Sequence, residues 1–263
     1  MFDPSGRGLE IGPSFSPLLP KADGYDVEIL DHASAEDLRT KYAPTGVDID
    51  RIEAVDYVWH GGSIAELIDK PQHYDYCVAL HVIEHAVDLL GFLVDCQTLL
   101  APDGVLVLAV PDMRFSFDVL RPWTSLGAVV ENHLRQPWRH SPGKVLDEML
   151  YNCTRGEWPA WTRDNVGALR FVRDPTEVRA LHDWHMSQKD EFLDIHAWQF
   201  TPSSFRLLVS DLKLLNYIEF GEAGFHEAEG EFYITLSRNA ASCPVDRLEL
   251  SKRILTELSR VSV

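Results

Sequence analysis

Two short segments of this sequence carry histidine and carboxylate side chains that could do acid–base or metal chemistry. The first contains His81, Glu84 and His85, and the second, DIHAWQF, contains Asp194 and His196. An imidazole or a carboxylate can remove a proton from a hydroxyl, and a divalent metal held by such groups makes the hydroxyl more acidic. Because neighbouring residues of a regular helix point in different directions, we expect His85 to be the base and Glu84 to orient it or bind a metal.

Asp194 and His196 are two residues apart, so they project on the same side of the chain if the backbone there is extended. Together they could bind Mg²⁺ or a substrate hydroxyl, and His196 is a further candidate for proton transfer. The pattern leaves two mechanisms open, a histidine base and a bound metal. It leaves a structural role for the pair equally open.

A glycine turn follows the first apolar run, in the segment LEIGPSFSP, residues 9–17. A turn at the end of a strand is where a doubly wound fold binds its ligand. Only Gly12 offers a close backbone approach, since Pro13 and Ser14 follow it, and this disfavours a dinucleotide with its pyrophosphate. Proline is well suited to the first turn of a helix, so we expect a helix to begin after Gly12.

Two further segments follow later strands. Asp31 ends the run VEILD, about 20 residues beyond the glycine turn, where an acidic side chain can bind ribose hydroxyls. Gly61 and Gly62 supply flexible backbone that could border an adenine ring, and a simple turn explains them equally well.

The elements that must position these residues alternate between short apolar runs and helical patterns, which is typical of βαβ units around a parallel sheet. The run VLVLAV, residues 105–110, has the composition of a central strand buried on both faces. A helix with Val87, Leu90 and Val94 on one face precedes it. The predicted strands are residues 9–11, 27–30, 54–59, 76–80, 105–110, 214–220 and 231–237, with a helix near Pro202.

The overall composition predicts a single folded domain of 263 residues, in which residues 111–200 form a mostly helical insert over the carboxyl edge of the sheet. A net charge of −17 opposes binding to nucleic acid. We find no apolar run of membrane-spanning length and no export signal, and the four cysteines form no CxxC pair. These features predict a cytoplasmic protein without a membrane partner, and they leave the oligomeric state open.

The segment from residue 74 to residue 112, with HVIEH after its first strand, closely resembles the class I S-adenosylmethionine-dependent methyltransferases. The motifs LEIGP and LDH precede it in the order that is usual for this family. The resemblance implies a Rossmann-like, doubly wound, mostly parallel seven-stranded sheet, with S-adenosylmethionine as the cofactor. It places the methionine end at the glycine turn, the ribose at Asp31 and the sulfonium beside His81. The residues assigned to the cofactor are Glu10, Gly12, Pro13, Ser14, Asp31, Gly61, Gly62, Ser63 and His81. The usual three-glycine motif is missing, which leaves the contacts of Ser14 and Phe15 open.

The segment PDMRFSFDVLRP, residues 111–122, resembles a narrower group, the methyltransferases of polysaccharide and glycan pathways, including those of mycobacterial methylmannose polysaccharide. This resemblance implies a sugar hydroxyl as acceptor, for example on a mannoside, with Asp112 and Arg114 directed toward it. Six of the seven tryptophans lie in the insert, and their flat faces can stack on a sugar ring. The alternatives are another small-molecule acceptor, phenolic or carboxylic, and a cofactor-binding protein without turnover.

Overall fold

A sheet built around the predicted apolar runs dominates the computed structural model, which describes residues 2–165, 167–188 and 193–259. In this part of the chain the strands are β1 Gly8–Ile11, β2 Val27–Asp31, β3 Tyr57–Val58, β4 Tyr74–Leu80, β5 Leu100–Pro111, β6 Cys153–Arg155, β7 Leu169–Phe171, β8 Gly221–Glu227 and β9 Glu231–Ser237. The helices are α1 Ala35–Tyr42, α2 Ile64–Ile68, α3 Leu89–Leu99, α4 Leu126–Leu134, α5 Pro142–Tyr151, α6 Pro175–Ser187, α7 Pro202–Leu214 and α8 Arg247–Ser259.

The seven-stranded sheet has the order β3-β2-β1-β4-β5-β9-β8. Neighbouring strands from β3 to β5 are parallel, whereas β9 runs antiparallel to both β5 and β8. The strand order reverses between β1 and β4, and this is where a doubly wound sheet opens a crevice at its carboxyl edge. The prediction of a doubly wound, mostly parallel seven-stranded α/β sheet is therefore confirmed.

The core forms because β4 and β5 are apolar on both faces: helices cover one face, and the chain near Leu19 covers the other. Residues 106–110 of β5 are all buried, and α3 packs its own buried face, which includes Leu90, Leu93 and Cys96, against this core. The side chain of Asp88 caps α3 by accepting the backbone N–H of Gly91 at 3.0 Å. The helix therefore begins at Leu89, two residues later than the periodic pattern predicts.

Two predicted elements are wrong. The chain after Gly12 does not form a helix, because Ser14 adopts a left-handed backbone conformation with φ +52° and the chain turns back across the sheet edge. Residues 214–220 are not a strand, because α7 extends to Leu214 and β8 begins only at Gly221. The alternating pattern of that segment arises from a connecting loop in which Ile218 and Phe220 are buried.

The segment that leaves the sheet after β5 returns to it beside its own starting point, where Asp112 and Phe200 form a parallel bridge. Between these residues lie α4, α5, α6 and a small antiparallel pair of strands, β6 and β7, which the sequence pattern does not predict. A separate apolar cluster of Val145, Met149, Val178 and Ile195 holds α5, α6 and the returning chain together. No helix in the described ranges is long and apolar enough to cross a membrane.

Candidate functional site

A cavity of about 450 Å³ opens at the carboxyl ends of β1, β2 and β4. It lies at the reversal of strand order, and its walls come from the loops that follow these strands. Gly12, Asp31, His81 and His85, all singled out in the sequence, line it together with Trp59, which sequence reasoning missed. We call it the cofactor cavity. Trp59 had a signal in the sequence, since it stands at the end of the third predicted strand.

The glycine turn needs a residue without a side chain at Gly12. Its backbone has φ +68°, and a Cβ atom there would lie 2.8 Å from Cγ2 of Val82. The next two residues, Pro13 and Ser14, also line the cavity. The turn therefore borders the cavity, and its contact with the methionine end of a cofactor stays a prediction.

Asp31 is buried, with 1% of its surface exposed, at the end of β2. Its Oδ2 accepts the backbone N–H of Ser14 at 2.9 Å, and its Oδ1 accepts that of His32 at 2.7 Å. Oδ1 also lies 2.7 Å from Nδ1 of His32, so the remaining capacity to accept a hydrogen bond lies on Oδ2. The side chain therefore ties the glycine turn to β2 and keeps accepting capacity for hydroxyl groups.

Glu10 lines the cofactor cavity, and its carboxylate also has a structural role. Its carboxylate accepts the backbone N–H groups of Leu18 at 2.6 Å and Leu19 at 3.2 Å, which holds the loop that follows the glycine turn. Burial raises the pKa of Glu10, and these two hydrogen bonds only partly offset that effect. Glu10 therefore supports the cavity wall with its own polar atoms engaged.

Gly61 and Gly62 form a left-handed turn, with φ +111° and +80°, and the structure does not bring them or Ser63 into the cavity lining. The Ser63 hydroxyl donates to Asp95 at 2.8 Å and accepts the N–H of Glu66 at the start of α2. The indole N–H of Trp59 donates to the carbonyl of Gly62 at 3.1 Å. The turn thus orients the aromatic side chain that reaches the cavity.

His81 follows β4 in a left-handed conformation with φ +54° and is half exposed in the cavity. Its Nε2 lies 2.6 Å from Oε2 of Glu231, the first residue of β9, and its Nδ1 lies 3.7 Å from Oε1 of Glu84. Sequence reasoning missed Glu231, because only the antiparallel pairing of β9 with β5 places it at this edge.

A group that we call the histidine cluster, Glu84, His85, Asp194 and His196, adjoins the cavity. Nδ1 of His85 lies 2.8 Å from Oδ1 of Asp194, and its Nε2 lies 3.8 Å from Oε1 of Glu84. The rings of His85 and His196 are perpendicular, with centroids 4.6 Å apart. Nδ1 of His196 lies 2.5 Å from Oδ2 of Asp118, a buried residue that the sequence did not bring to attention.

The charges of the cluster shift two pKa values in opposite directions. Burial alone would lower the pKa of His85, but the nearby carboxylates of Asp194, Glu84 and Asp118 outweigh it and raise the pKa. The contact with His85 is the main reason that the pKa of Asp194 falls to about 2. The carboxylates therefore make the imidazole of His85 more basic, and His85 in turn keeps the carboxylate of Asp194 ionised.

Hydrogen bonds of the backbone join the segment that carries Glu84 and His85 to the segment that carries Asp194 and His196. The carbonyl of Glu84 accepts the N–H groups of Ala197 at 2.7 Å and Trp198 at 3.2 Å, and the indole of Trp198 donates to the carbonyl of Ala86 at 2.6 Å. Residues Ile83–His85 form a 3-10 turn ahead of α3. This irregular start allows Glu84 and His85 to approach the same point, which a regular helix would prevent.

The structure does not place Asp194 and His196 as a pair facing one point. Asp194 contacts His85, whereas His196 contacts Asp118. In the part of the chain that the structure describes, the His and acidic residues grouped closely enough to hold a metal are Glu84, His85 and His196, whose ligand atoms lie within 4.8 Å of one another. The residues that meet therefore differ from the predicted pair, because the side chains belong to segments far apart in the sequence.

Lys144, on α5, is half-buried, and its terminal nitrogen is shielded from solvent. Its ammonium group lies over the ring of Trp198 and has no hydrogen-bond partner among the described residues. Burial, assisted by the charge of Arg121, lowers the pKa of Lys144 to about 6. No local pattern distinguishes this lysine from a surface lysine of an amphipathic helix.

A second and larger opening, of about 1250 Å³, lies between the insert, α7 and α8. We call it the cleft, and it is lined by cationic, acidic and aromatic side chains, among them Arg114, Trp161, Arg206 and Glu227. Glu227 and Glu231 flank the turn between β8 and β9, so the cleft and the cofactor cavity lie at the same end of the sheet. Arg114 is held by the buried carboxylate of Asp112, with Nε at 2.9 Å from both oxygens.

A family model described as a methyltransferase domain matches residues 2–212, which include every residue of the cofactor cavity named above. No protein of curated function matches the sequence. The family match therefore covers the glycine turn, the end of β2 and the histidine cluster in one continuous stretch.

Several solved structures share parts of this fold. The crystal structure of the trans-methyltransferase CalH with S-adenosylhomocysteine is 22% identical over 41% of this chain and 33% of CalH, with a TM-score of 0.30. A protein from Galdieria sulphuraria assigned as a sarcosine dimethylglycine methyltransferase is 18% identical over 50% and 53% of the two chains, with a TM-score of 0.32. The CcbJ methyltransferase from Streptomyces caelestis is 13% identical over 91% and 84%, with a TM-score of 0.46. The chain thus spans 33% and 53% of the length of the first two structures.

Proposed function

This chain belongs to the methyltransferase-domain family, and on that premise we propose that it transfers a methyl group from S-adenosylmethionine to a sugar hydroxyl of a saccharide or polysaccharide precursor. It is an S-adenosylmethionine-dependent methyltransferase. The choice of a hydroxyl acceptor rests mainly on one observation, the contact of His85 with Asp194 at the wall of the cofactor cavity.

The residues of the cavity fit the cofactor. Gly12 lets the turn pack directly against Val82, where a Cβ would clash, and Asp31 presents a buried carboxylate whose Oδ2 can accept a hydrogen bond from a ribose hydroxyl. Trp59 offers an aromatic face for a base. S-adenosylmethionine bound there would supply an electrophilic methyl group, and transfer of this methyl group to an acceptor oxygen would release S-adenosylhomocysteine as the leaving group.

The protein must align the acceptor hydroxyl and provide for its proton. The histidine cluster is suited to this task because His85 borders the cavity and Asp194 holds its Nδ1, which leaves Nε2 directed toward Glu84. The cluster can remove the proton with His85 as the base, or it can hold a cation that makes the hydroxyl more acidic.

The cleft supports a saccharide rather than a compact metabolite as the acceptor. Its volume exceeds that of the cofactor cavity, and its arginines, carboxylates and Trp161 can bind hydroxyl groups and stack on sugar rings. Outside the cleft, Trp138, Trp158 and Trp184 are more than half exposed on the insert. An extended chain of sugars could therefore contact the insert while its terminal residue reaches the cavity.

The experiment is a methyl-transfer assay with radiolabelled S-adenosylmethionine and a panel of acceptors: monosaccharides, mannose oligosaccharides, phenols and carboxylic acids. We expect label in the oligosaccharides, with an O-methyl sugar identified by mass spectrometry after hydrolysis. Labelling of phenols or carboxylates alone would contradict the sugar assignment. Tight binding of S-adenosylhomocysteine without transfer to any class of acceptor would instead favour a cofactor-binding protein without turnover.

A further inference from the structure

We propose that Glu84, His85 and His196 bind one divalent ion of the first transition series, such as Mn²⁺, Fe²⁺, Co²⁺ or Zn²⁺, at the wall of the cofactor cavity. The inference deepens the proposed function, on which its catalytic meaning rests. Two imidazoles and one carboxylate suit these ions better than Mg²⁺, whose ligands are mostly oxygen atoms. The set differs from the pair Asp194 and His196 that the sequence suggested.

The first observation is the side chain of Glu84. It is 1% exposed, and neither carboxylate oxygen has a hydrogen-bond partner among the described residues. The ring nitrogens nearest to Oε1 are Nδ1 of His81 at 3.7 Å and Nε2 of His85 at 3.8 Å, both beyond hydrogen-bonding distance. Buried carboxylates are normally paired or bound to a metal, so this side chain lacks a cation.

The second, independent observation is that each histidine has a carboxylate behind it. Nδ1 of His85 lies 2.8 Å from Asp194, and Nδ1 of His196 lies 2.5 Å from Asp118. The His196 contact is a hydrogen bond, which keeps the proton on Nδ1 and leaves the Nε2 lone pair available, whereas the His85 contact lacks hydrogen-bond geometry and acts through the charge of Asp194. This is the arrangement found around metal-binding histidines, where the outer carboxylate fixes the tautomer and the orientation of the ring.

The outer residues are themselves held firmly. Asp118 accepts from Nη1 of Arg121 at 2.8 Å, and the same nitrogen donates to the carbonyl of His196 at 2.6 Å. Both Asp118 and Arg121 are buried. His196 is thus fixed through its ring and through its backbone, as a ligand that must keep one direction requires.

The distances leave room for an ion with little movement. Ligand atoms about 2.0–2.2 Å from one ion are themselves separated by roughly 3–3.4 Å. Nε2 of His85 and Oε1 of Glu84 are 3.8 Å apart, and all three ligand atoms lie within 4.8 Å of one another. Three protein ligands leave coordination positions of the ion open. Because His85 lines the cofactor cavity, an acceptor hydroxyl could occupy one of these positions and become more acidic.

The test uses the full chain after treatment with a chelator, without methyl donor or acceptor. Mn²⁺ is titrated by calorimetry and by the loss of the free-ion signal in electron paramagnetic resonance. We expect one ion per chain, and at least tenfold weaker binding in Glu84→Gln and in His196→Gln. Asp118→Asn, which alters only the outer carboxylate, should weaken binding about tenfold. Mg²⁺ should compete poorly.

His133→Gln is the matched control, because His133 forms a similar pair with Asp88, at 2.8 Å, outside the cluster. It should bind Mn²⁺ like the wild type. Absence of stoichiometric binding in the wild type, or unchanged binding in Glu84→Gln and His196→Gln, would overturn the proposal. Should Glu84→Gln fail to fold, His196→Gln decides by the same measurement.

The same samples separate this proposal from the proposed function. If the wild type binds S-adenosylhomocysteine and methylates sugars but binds no Mn²⁺, the metal site alone is rejected. Stoichiometric Mn²⁺ binding that depends on Glu84 and His196, without transfer to any sugar, would reject the acceptor assignment and leave the metal site standing.

Discussion

The backbone N–H of Ser14 donates a hydrogen bond of 2.9 Å to Oδ2 of Asp31. This bond joins the glycine turn after β1 to the end of the neighbouring strand β2. One buried carboxylate therefore shapes the turn that a ligand approaches and also offers the acceptor atoms for that ligand.

Asp31→Ala should remove most of the thermal stabilisation that S-adenosylhomocysteine gives to the wild type. A ligand at a hundredfold excess over its Kd adds about 2.7 kcal/mol to the free energy of unfolding. The shift in Tm is measured by differential scanning fluorimetry against each variant's own ligand-free Tm. Glu36→Ala, which removes an exposed carboxylate from α1, should keep the full shift. A folded Asp31→Ala with an undiminished shift would contradict the ribose assignment.

Gly12→Ala should destabilise the protein more than Gly46→Ala. Both glycines have positive φ, which costs an L-residue about 1–2 kcal/mol. A Cβ at Gly46 meets no atom within 4 Å, whereas one at Gly12 lies 2.8 Å from Val82. Denaturant unfolding measures the difference.

The additional variant Val82→Ala tests the cause. If the clash is responsible, Gly12→Ala combined with Val82→Ala should be more stable than the sum of the two single effects predicts. Strict additivity would show that the backbone conformation alone accounts for the loss.

His85→Ala should lower kcat by about 10²- to 10⁴-fold and leave the affinity for S-adenosylhomocysteine nearly unchanged. This expectation follows from the proposal that His85 removes the acceptor's proton while Asp31 and the glycine turn hold the cofactor. Steady-state kinetics and calorimetry give the two numbers. His133→Ala serves as the control, and a His85→Ala enzyme with wild-type turnover would exclude His85 from the reaction.

Lys144→Met should make the protein more stable at neutral pH and remove part of its pH dependence. The folded-state pKa of Lys144, about 6, lies below its ordinary value of 10.5, so between these values the unfolded chain binds the extra proton. The free energy of unfolding of the wild type therefore rises with pH across this window, by up to about 1.4 kcal/mol per pH unit from this group.

Urea unfolding at three pH values between 6.5 and 9.5 tests the sign. The difference between wild type and Lys144→Met should be largest at the lowest pH and shrink as pH rises. Lys252→Met, on the exposed side of α8, should show no such trend. A difference that stays constant with pH would contradict the half-buried, uncharged lysine.

The sequence by itself was sufficient for the central strands of the sheet and for one side of the cofactor cavity, but not for the edge strand β8. Apolar runs identified the central strands because burial on both faces demands continuous hydrophobicity, as in β5. Gly12 and Asp31 follow neighbouring parallel strands, whose carboxyl ends share one edge, so their proximity follows from strand order. These predictions rested on the residue types of each segment and on the topology of the sheet.

Only the tertiary structure decided which side chains meet in the histidine cluster. Asp118 and His196 are 78 residues apart, and no periodic pattern connects them. Their contact depends on how the chain between β5 and α7 folds back, and that packing also turned Asp194 toward His85 and placed Lys144 against Trp198. Such contacts depend on how segments far apart in the sequence pack against each other, and the secondary-structure propensities of single segments do not predict this packing.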